Sequence, residues 1–208
     1  MGSRRETKKL SELLNTDELY ILFGGPSLKH FDLSRLDNKP TLACNKCAEV
    51  YAADAIISID ATYIGTKRHF LKEYQGYVIL GHRETKPHPE YGMPRAEWID
   101  PSYLFWHERS VKMSEKENLL YGLNTGHAAV NFAMLHGFKT LHCLGLDMAQ
   151  GGHWHSGYSH SSNQQWMTQW AKQLDDCKNV LDAWDVRLIN YNPDSGVRAY
   201  EFGDLRSI

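Results

Sequence analysis

The stretch AAVNFAMLHGFKTLHCL, residues 128–144, decides the fold class of this chain. Residues 128–135 are apolar enough for a buried helix, and Gly137 stands where a helix C-terminus favours glycine. Residues 140–144 follow as a short apolar strand. A helix, a glycine and a strand in this order form the second half of a β–α–β crossover, which is typical of parallel sheets.

Further strand candidates lie on both sides of this unit. They are short apolar runs at residues 19–23, 41–44, 55–59, 77–80 and 186–189. Residues 63–74 have helical spacing, and a long helix capped by Ser161-Ser162 is predicted to bury an apolar stripe of Trp166, Trp170, Leu174, Cys177 and Leu181. Strands that alternate with helices predict an α/β fold, which is a single Rossmann-like domain over residues 1–208 with a mostly parallel sheet and helices on both faces.

Composition limits the functional classes. A formal charge of −2 gives no electrostatic case for general nucleic-acid binding. No apolar run reaches membrane-spanning length, and residues 1–8 are interpreted as a disordered leader without a signal core. Four scattered cysteines are too few for a disulfide framework, so a cytoplasmic setting is expected. Cys44 and Cys47 are assigned to the core rather than to a zinc or redox pair, because free cysteine usually behaves as a small buried apolar residue. The sequence does not determine the oligomeric state, and a homo-oligomer is one of the possible states.

One long segment breaks the alternation. Residues 81–120 hold four of the seven prolines and many aromatic side chains, and they are predicted to form a long irregular insertion. A connection of this length is usually a lid or a binding loop, which would place acceptor contacts at Tyr91, Trp98 or Trp106. The alternative, weighted equally, is a purely structural segment whose aromatic side chains pack together as a small core of their own.

Polar and small residues follow the predicted strands and one predicted helix start. Because the carboxyl ends of parallel strands meet at one edge, these residues are expected to form a nucleotide site there. They are Gly24, Gly25, Pro26, Ser27, Asn45, Asp60, Asn124, Thr125, Gly126 and Asp147. The backbone N–H groups of the turn at residues 24–27 are predicted to face an anion, with glycine allowing positive φ and close ligand approach. The turn matches neither Gly-x-Gly-x-x-Gly nor a Walker loop.

A histidine-rich loop follows the strand at residues 140–144. Residues 151–160 read GGHWHSGYSH and place His153, His155 and His160 within eight positions. Histidine titrates near neutral pH, so a cluster at a strand end favours proton transfer or metal ligation over a plain polar loop.

Five short motifs occur in a fixed order along the chain. They are Phe23-Gly24-Gly25-Pro26-Ser27-Leu28, Ala43-Cys44-Asn45, Asn124-Thr125-Gly126, Gly145-Leu146-Asp147 and Tyr158-Ser159-His160-Ser161. In this order they resemble the small bacterial sialyltransferase-like glycosyltransferases and the related pterin diphosphokinase-like proteins of unknown function. The resemblance spans roughly residues 19–192 and leaves residues 81–120 unmatched.

The resemblance implies a glycosyltransferase that binds a nucleotide sugar, of the CMP type, and needs no essential metal or other cofactor. The partner substrate would be a small or glycan acceptor, and His160 would act as general base on its hydroxyl group. The chain departs from the family pattern at Phe23-Gly24, where the family has Gly-Asn, and at Ala149 and His155, where the family has tyrosines that help the phosphate leave. His155 is the candidate acid for that second role.

Three alternatives stay open at this stage. The first is an ATP-dependent diphosphokinase of a small hydroxymethyl compound, with Mg²⁺ held by Asp60 and Asp147. The second is a nucleotide-binding protein without turnover. The third is a zinc site formed by His153, His155 and His160 together with Asp147.

Overall fold

The helix and strand around Gly137 have the predicted arrangement in a computed structural model of the protein, which describes residues 8–82, 99, 101–148 and 164–208. The helix spans Thr125–Leu135, and the strand spans Thr140–Leu144. Between them Gly137 takes a φ of +85°, the left-handed conformation that a glycine just after a helix supplies without strain. The helix–glycine–strand unit is therefore confirmed.

The described residues form nine strands and six α-helices. The strands are β1 Glu18–Leu22, β2 Thr41–Cys44, β3 Ala55–Ser58, β4 Tyr77–His82, β5 Tyr103–Glu108, β6 Leu119–Tyr121, β7 Thr140–Leu144, β8 Arg187–Asn190 and β9 Glu201–Phe202. The helices are α1 Leu10–Leu14, α2 Ala61–Thr66, α3 Arg68–Glu73, α4 Thr125–Leu135, α5 Gln164–Asp176 and α6 Lys178–Ala183.

All nine strands pair in parallel in one sheet, in the order β6-β5-β4-β3-β2-β1-β7-β8-β9. The chain first builds outward from β1 to β6 and then returns to the other side of β1 to add β7, β8 and β9. The order therefore reverses between β1 and β7. This topology confirms the predicted α/β class with a single Rossmann-like sheet.

Apolar layers cover both faces of the sheet. One core cluster joins α1, α4, α5 and α6 to one face, and the other joins α2, α3 and short 3₁₀ turns to the opposite face. Every residue of β2 and β3 is buried, as expected of parallel strands that have helices on both sides. Cys44 and Cys47 belong to different clusters and are both buried, which agrees with their assignment to the core.

The predicted irregular insertion at residues 81–120 is wrong in part, because this segment supplies two strands of the sheet. In β5, Tyr103, Phe105 and His107 are buried while the alternate residues are exposed. This period of two is the pattern of a half-buried strand, and the density of prolines and aromatic residues concealed it. Residues 83–98, with Tyr91 and Trp98, lie outside the described residues.

The predicted apolar stripe is confirmed at Leu174, Cys177 and Leu181, which are buried, and is wrong at Trp166. Trp166 is 56% exposed, whereas Met167, Ala171 and Leu174 are buried and pack the helix against the sheet. The spacing of three and four residues was correct, but the two large aromatic side chains lie to one side of the buried stripe. Helical spacing at residues 63–74 is confirmed as two short helices, α2 and α3, which meet at Lys67.

None of the helices in the described ranges combines the length and the apolar character needed to cross a bilayer.

Candidate functional site

The reversal of strand order places a crevice between the carboxyl ends of β1 and β7. In open α/β sheets ligands bind outside the carboxyl ends of the strands at such a reversal. Residues 24–27 leave β1 there, and residues 145–147 leave β7 beside them, with Phe23 N–H donating to Leu144 O at 2.8 Å. The sequence motifs at both strand ends are therefore adjacent in space.

The turn at residues 24–27 does not present free N–H groups to an anion as predicted. Gly25 N–H donates to Gly145 O at 2.9 Å, and Ser27 N–H donates to Asp147 Oδ2 at 2.7 Å. Pro26 has no N–H group. Gly25 has a φ of −69°, so the expectation of positive φ is also wrong. The N–H groups of Gly25 and Ser27 therefore bind the segment that directly follows β7.

Asp147 is the centre of a hydrogen-bonded cluster in the crevice. Its Oδ1 accepts from Ser27 Oγ at 2.6 Å and from Asn192 Nδ2 at 2.8 Å, in addition to the bond from Ser27 N–H to Oδ2. Its side chain is buried, and its backbone carbonyl accepts from Gly196 N–H at 2.6 Å. Since each carboxylate oxygen accepts two hydrogen bonds, Oδ2 retains capacity for one further donor.

The loop after β8 contributes residues that sequence reasoning missed. Asn190 Nδ2 and Ser195 Oγ both donate to Leu146 O, at 3.2 and 2.6 Å, while Asn192 reaches Asp147. The signal was available, because residues 190–196 follow a predicted strand in the same way that Asn45 does. Because the carboxyl ends of parallel strands meet at one edge of a sheet, the same pattern indicates residues 190–196.

A second polar pair lies across the crevice, beyond β1. Asn45 follows β2, and its Nδ2 donates to Thr125 Oγ1 at 3.1 Å. Asn45 takes a left-handed φ of 50°, which asparagine tolerates better than most residues. Thr125 is the first residue of α4, so the pair brings the start of that helix to the carboxyl edge. The predicted proximity of these two residues is confirmed.

The start of α4 lies beside the carboxyl ends of β1 and β2. Asn124 caps the helix, with its Oδ1 accepting from His127 N–H at 2.9 Å. The N–H groups of the first helical residues, Thr125 and Gly126, have no acceptor within the helix itself. A Cβ at Gly126 would lie 2.9 Å from Phe23 Cδ1, so glycine is needed for the helix to approach the end of β1.

Asp60 has a local structural role. Its Oδ1 accepts from Thr62 N–H and Tyr63 N–H and caps α2. It follows β3, and β2 and β1 separate β3 from β7, so three strand spacings of about 4.8 Å place Asp60 about 14 Å from Asp147. One Mg²⁺ ion cannot be shared across that distance, since its ligand oxygens lie about 2 Å from the metal. The joint magnesium site of these two residues is therefore wrong.

Trp106 is the one remaining predicted site residue within the described ranges, and it does not lie in the crevice. Trp106 lies on β5, which is four strands away from β1, and is 37% exposed. His153, His155 and His160 lie outside the described residues, as do Ser161 and Ser162. Within the described ranges, no group of three or more histidine, cysteine, aspartate or glutamate side chains is placed to hold a metal ion.

A measurable cavity lies elsewhere, at the opposite end of the strands. Its volume is about 400 Å³, and it is lined by α6 and by the first residues of β8, with Lys178, Arg187 and Glu201 among them. Arg187 and Glu201 pair with each other at 2.6 Å, and Lys178 pairs with Asp182 at 2.7 Å. Four of the charged lining residues thus pair with each other, and Asp185, which also lines the cavity, lies 3.8 Å from Lys139 outside it.

Gly25→Ala is expected to destabilise the protein by about 1–3 kcal/mol or more, because a Cβ would overlap Gly145 O and lie 2.5 Å from Asp147 Oδ2. From the sequence alone, an alanine at this position is expected to block ligand approach and to leave the fold nearly intact, and the structure revises the second part of that expectation. Urea unfolding of Gly25→Ala, Asp147→Ala and the double variant measures the effect. A double variant that loses clearly less than the sum of the two losses would confirm the overlap, and simple additivity would contradict it.

Comparison of the chain with models of known protein families, with curated proteins and with solved structures gave no match.

Proposed function

We propose that the chain is a nucleotide-sugar-dependent glycosyltransferase, similar to the sialyltransferase-like enzymes that its motifs resemble, with a CMP-type donor and a hydroxyl acceptor. The observation that carries the proposal is the contact between Asn45 and Thr125 at the start of α4, beside the reversal of strand order. This contact brings a helix N-terminus to the edge of the sheet where α/β folds bind ligands.

The two sides of the crevice differ in charge. The start of α4 carries partial positive charge and two N–H groups that suit a phosphate. Asp147 carries a carboxylate on the β7 side, where a phosphate is repelled and a ribose hydroxyl is a suitable donor. From β2 to β7 there are two strand spacings, about 10 Å, a distance that a whole nucleotide can bridge. The arrangement supports a nucleotide that lies across β1.

The proposed chemistry assigns the base to His160 and the acid to His155. A hydroxyl acceptor is a weak nucleophile, and removal of its proton by a positioned base typically contributes about 10²–10⁴-fold. The sequence places His160 just before a helix start, whose positive end disfavours imidazolium and keeps the ring able to accept a proton. His155 would donate a proton to the departing phosphate.

A thermal-shift screen against CMP, UDP, GDP and ATP, with and without Mg²⁺, tests the proposal. A nucleotide that binds the folded state raises Tm by mass action, and CMP is expected to give the largest shift without metal. A response only to ATP with Mg²⁺ would favour diphosphoryl transfer instead. No shift with any nucleotide would contradict the proposal.

Thr125→Val is expected to weaken nucleotide binding about tenfold, because it removes the hydroxyl that links Asn45 to α4 while keeping the shape of the side chain. Thr66→Val is the matched control, since the Thr66 hydroxyl bonds only within α2, to Thr62 O and Tyr63 O. Calorimetric titration with the responding nucleotide compares the two. If Thr125→Val and Thr66→Val bind the nucleotide with equal affinity, the start of α4 is not part of the nucleotide site.

His160→Ala is expected to abolish turnover and to leave nucleotide affinity nearly unchanged, whereas His155→Ala lowers the rate less. The measurement is product formation with the donor identified by the screen. Full activity of His160→Ala would contradict the assignment of the base. Loss of a bound zinc ion from this variant, measured by metal analysis, would show that His160 is a zinc ligand rather than the general base.

A further inference from the structure

The first two turns of α5 present an exposed surface with aromatic side chains and no charge. Residues 164–171 read QQWMTQWA and contain no Asp, Glu, Lys or Arg. Trp166 is 56% exposed, and its ring lies 6.4 Å from that of Trp170 with an angle of 35° between the planes. Exposed helix surfaces normally carry charged residues, and exposed apolar side chains that cluster mark binding sites.

This part of α5 rises above the carboxyl edge of the sheet, on the side of the candidate site. A Cβ at Gly196 would lie 3.3 Å from Ala171 Cβ and 2.6 Å from Met148 O, so Ala171 is level with the chain just beyond β7. The residues before Ala171 extend further out from the edge. At 1.5 Å per residue, Trp166 lies about 7 Å beyond Ala171 along the helix.

The two tryptophans share a stripe with residues that face α4. Trp166, Trp170 and Gln173 are spaced by four and three residues, which places them on one side of the helix, and Cys177 stands four residues beyond Gln173, directly after the helix ends. Cys177 Sγ lies 3.8 Å from Nε2 of His127 in the first turn of α4. The stripe therefore runs along the side of α5 that approaches the start of α4.

Gln173 supplies an independent sign of a polar ligand on this stripe. Its side chain is only 6% exposed, and its Oε1 is buried without a hydrogen-bond donor. Buried carbonyl oxygens are normally satisfied, and an unsatisfied one is costly. A ligand hydroxyl is a donor that would satisfy it.

We propose that Trp166, Trp170 and Gln173 form the acceptor subsite and bind a neutral sugar ring by stacking on the indoles and donating a hydroxyl to Gln173. A pyranose ring combines an apolar C–H face with hydroxyl donors, which matches the two indoles and the amide. The lack of charge in residues 164–171 favours a neutral ligand over a phosphate or a charged peptide. The assignment of this sugar as the acceptor rests on the proposed transferase function.

Binding of lactose, cellobiose and maltose, measured by tryptophan fluorescence and calorimetry, tests the subsite. At least one disaccharide is expected to bind the wild-type protein saturably, and glucose 6-phosphate is expected to bind more weakly than the neutral sugars. Trp166→Ala should weaken binding about tenfold, and Trp166→Phe, which keeps an aromatic face, should restore most of it. Gln173→Leu should also weaken binding.

Phe202→Ala is the control, because it removes an aromatic ring of 38% exposure from β9 at the edge of the sheet. Its affinity for the disaccharide should equal that of the wild type. Absence of disaccharide binding by the wild type, or undiminished binding by Trp166→Ala, would overturn the proposal. Calorimetry with CMP is run on the same variants. Disaccharide binding without nucleotide binding would contradict the transferase function and leave the sugar site standing.

Discussion

Acidification from pH 7 to pH 5 is expected to lower the free energy of unfolding by about 2 kcal/mol for each of two buried histidines, His127 and His136. Burial is the main cause in both cases and lowers the pKa of each side chain from 6.5 to about 4. The Lys112 carbonyl opposes the shift at His127, while His107 adds to it, and Lys9 adds to the shift at His136.

The direction follows from proton binding. Between pH 6.5 and pH 4 the unfolded chain binds a proton at each histidine that the folded protein does not. Stability therefore rises with pH in this window, is complete above pH 6.5, and is lost as the pH falls toward 4. His136 also accepts a hydrogen bond from Leu10 N–H at Nδ1, at 3.0 Å, and protonation of Nδ1 removes that acceptor.

Urea unfolding at pH 7 and pH 5 measures the loss, and two variants assign it. His136→Asn keeps an acceptor for Leu10 N–H and does not titrate, and His127→Gln removes the buried imidazole in the first turn of α4. Each is expected to reduce the loss on acidification by about 2 kcal/mol. His69→Gln is the control, because the His69 side chain is 84% exposed on α3. If the two buried-site variants lose as much stability as the wild type, the histidines are not the cause.

Asn131→Ala is expected to cost about 3–6 kcal/mol, because three backbone groups lose their partner inside the core. Asn131 is fully buried in α4, and its Oδ1 accepts from Ser114 N–H at 3.0 Å and from Tyr121 N–H at 2.9 Å. Its Nδ2 donates to Ser114 O at 2.9 Å. One amide side chain thus holds the segment before β6, and β6 itself, against α4.

Denaturant unfolding of Asn131→Ala beside Asn118→Ala measures this effect. Asn118 is an exposed asparagine in the same region, one residue before β6, and its replacement is expected to change stability by less than about 0.5 kcal/mol. A loss below about 1 kcal/mol for Asn131→Ala would show that relaxation or water replaces the three bonds.

Sequence patterns predicted those elements whose signal is local. Gly137, with its positive φ, ends α4 at the predicted place, and β2 and β7 have the predicted bounds. The strand β5 was missed, because its alternation of buried and exposed residues lies in a segment whose prolines and aromatic residues indicate a loop. Trp166 was assigned to the core on spacing alone, and a helix has room for a large apolar residue beside its buried stripe.

The sequence by itself determined the fold class, six of the nine described strands and most of the residues at their ends, because periodicity and turn chemistry act between near neighbours in the chain. Only the tertiary structure decided how those strand-end residues are used. Ser27 binds the carboxylate of Asp147, Asn45 binds Thr125, and Asp60 caps its own helix. Each choice depends on which strands lie next to each other, and the reversal between β1 and β7 is set by packing between residues more than 100 positions apart.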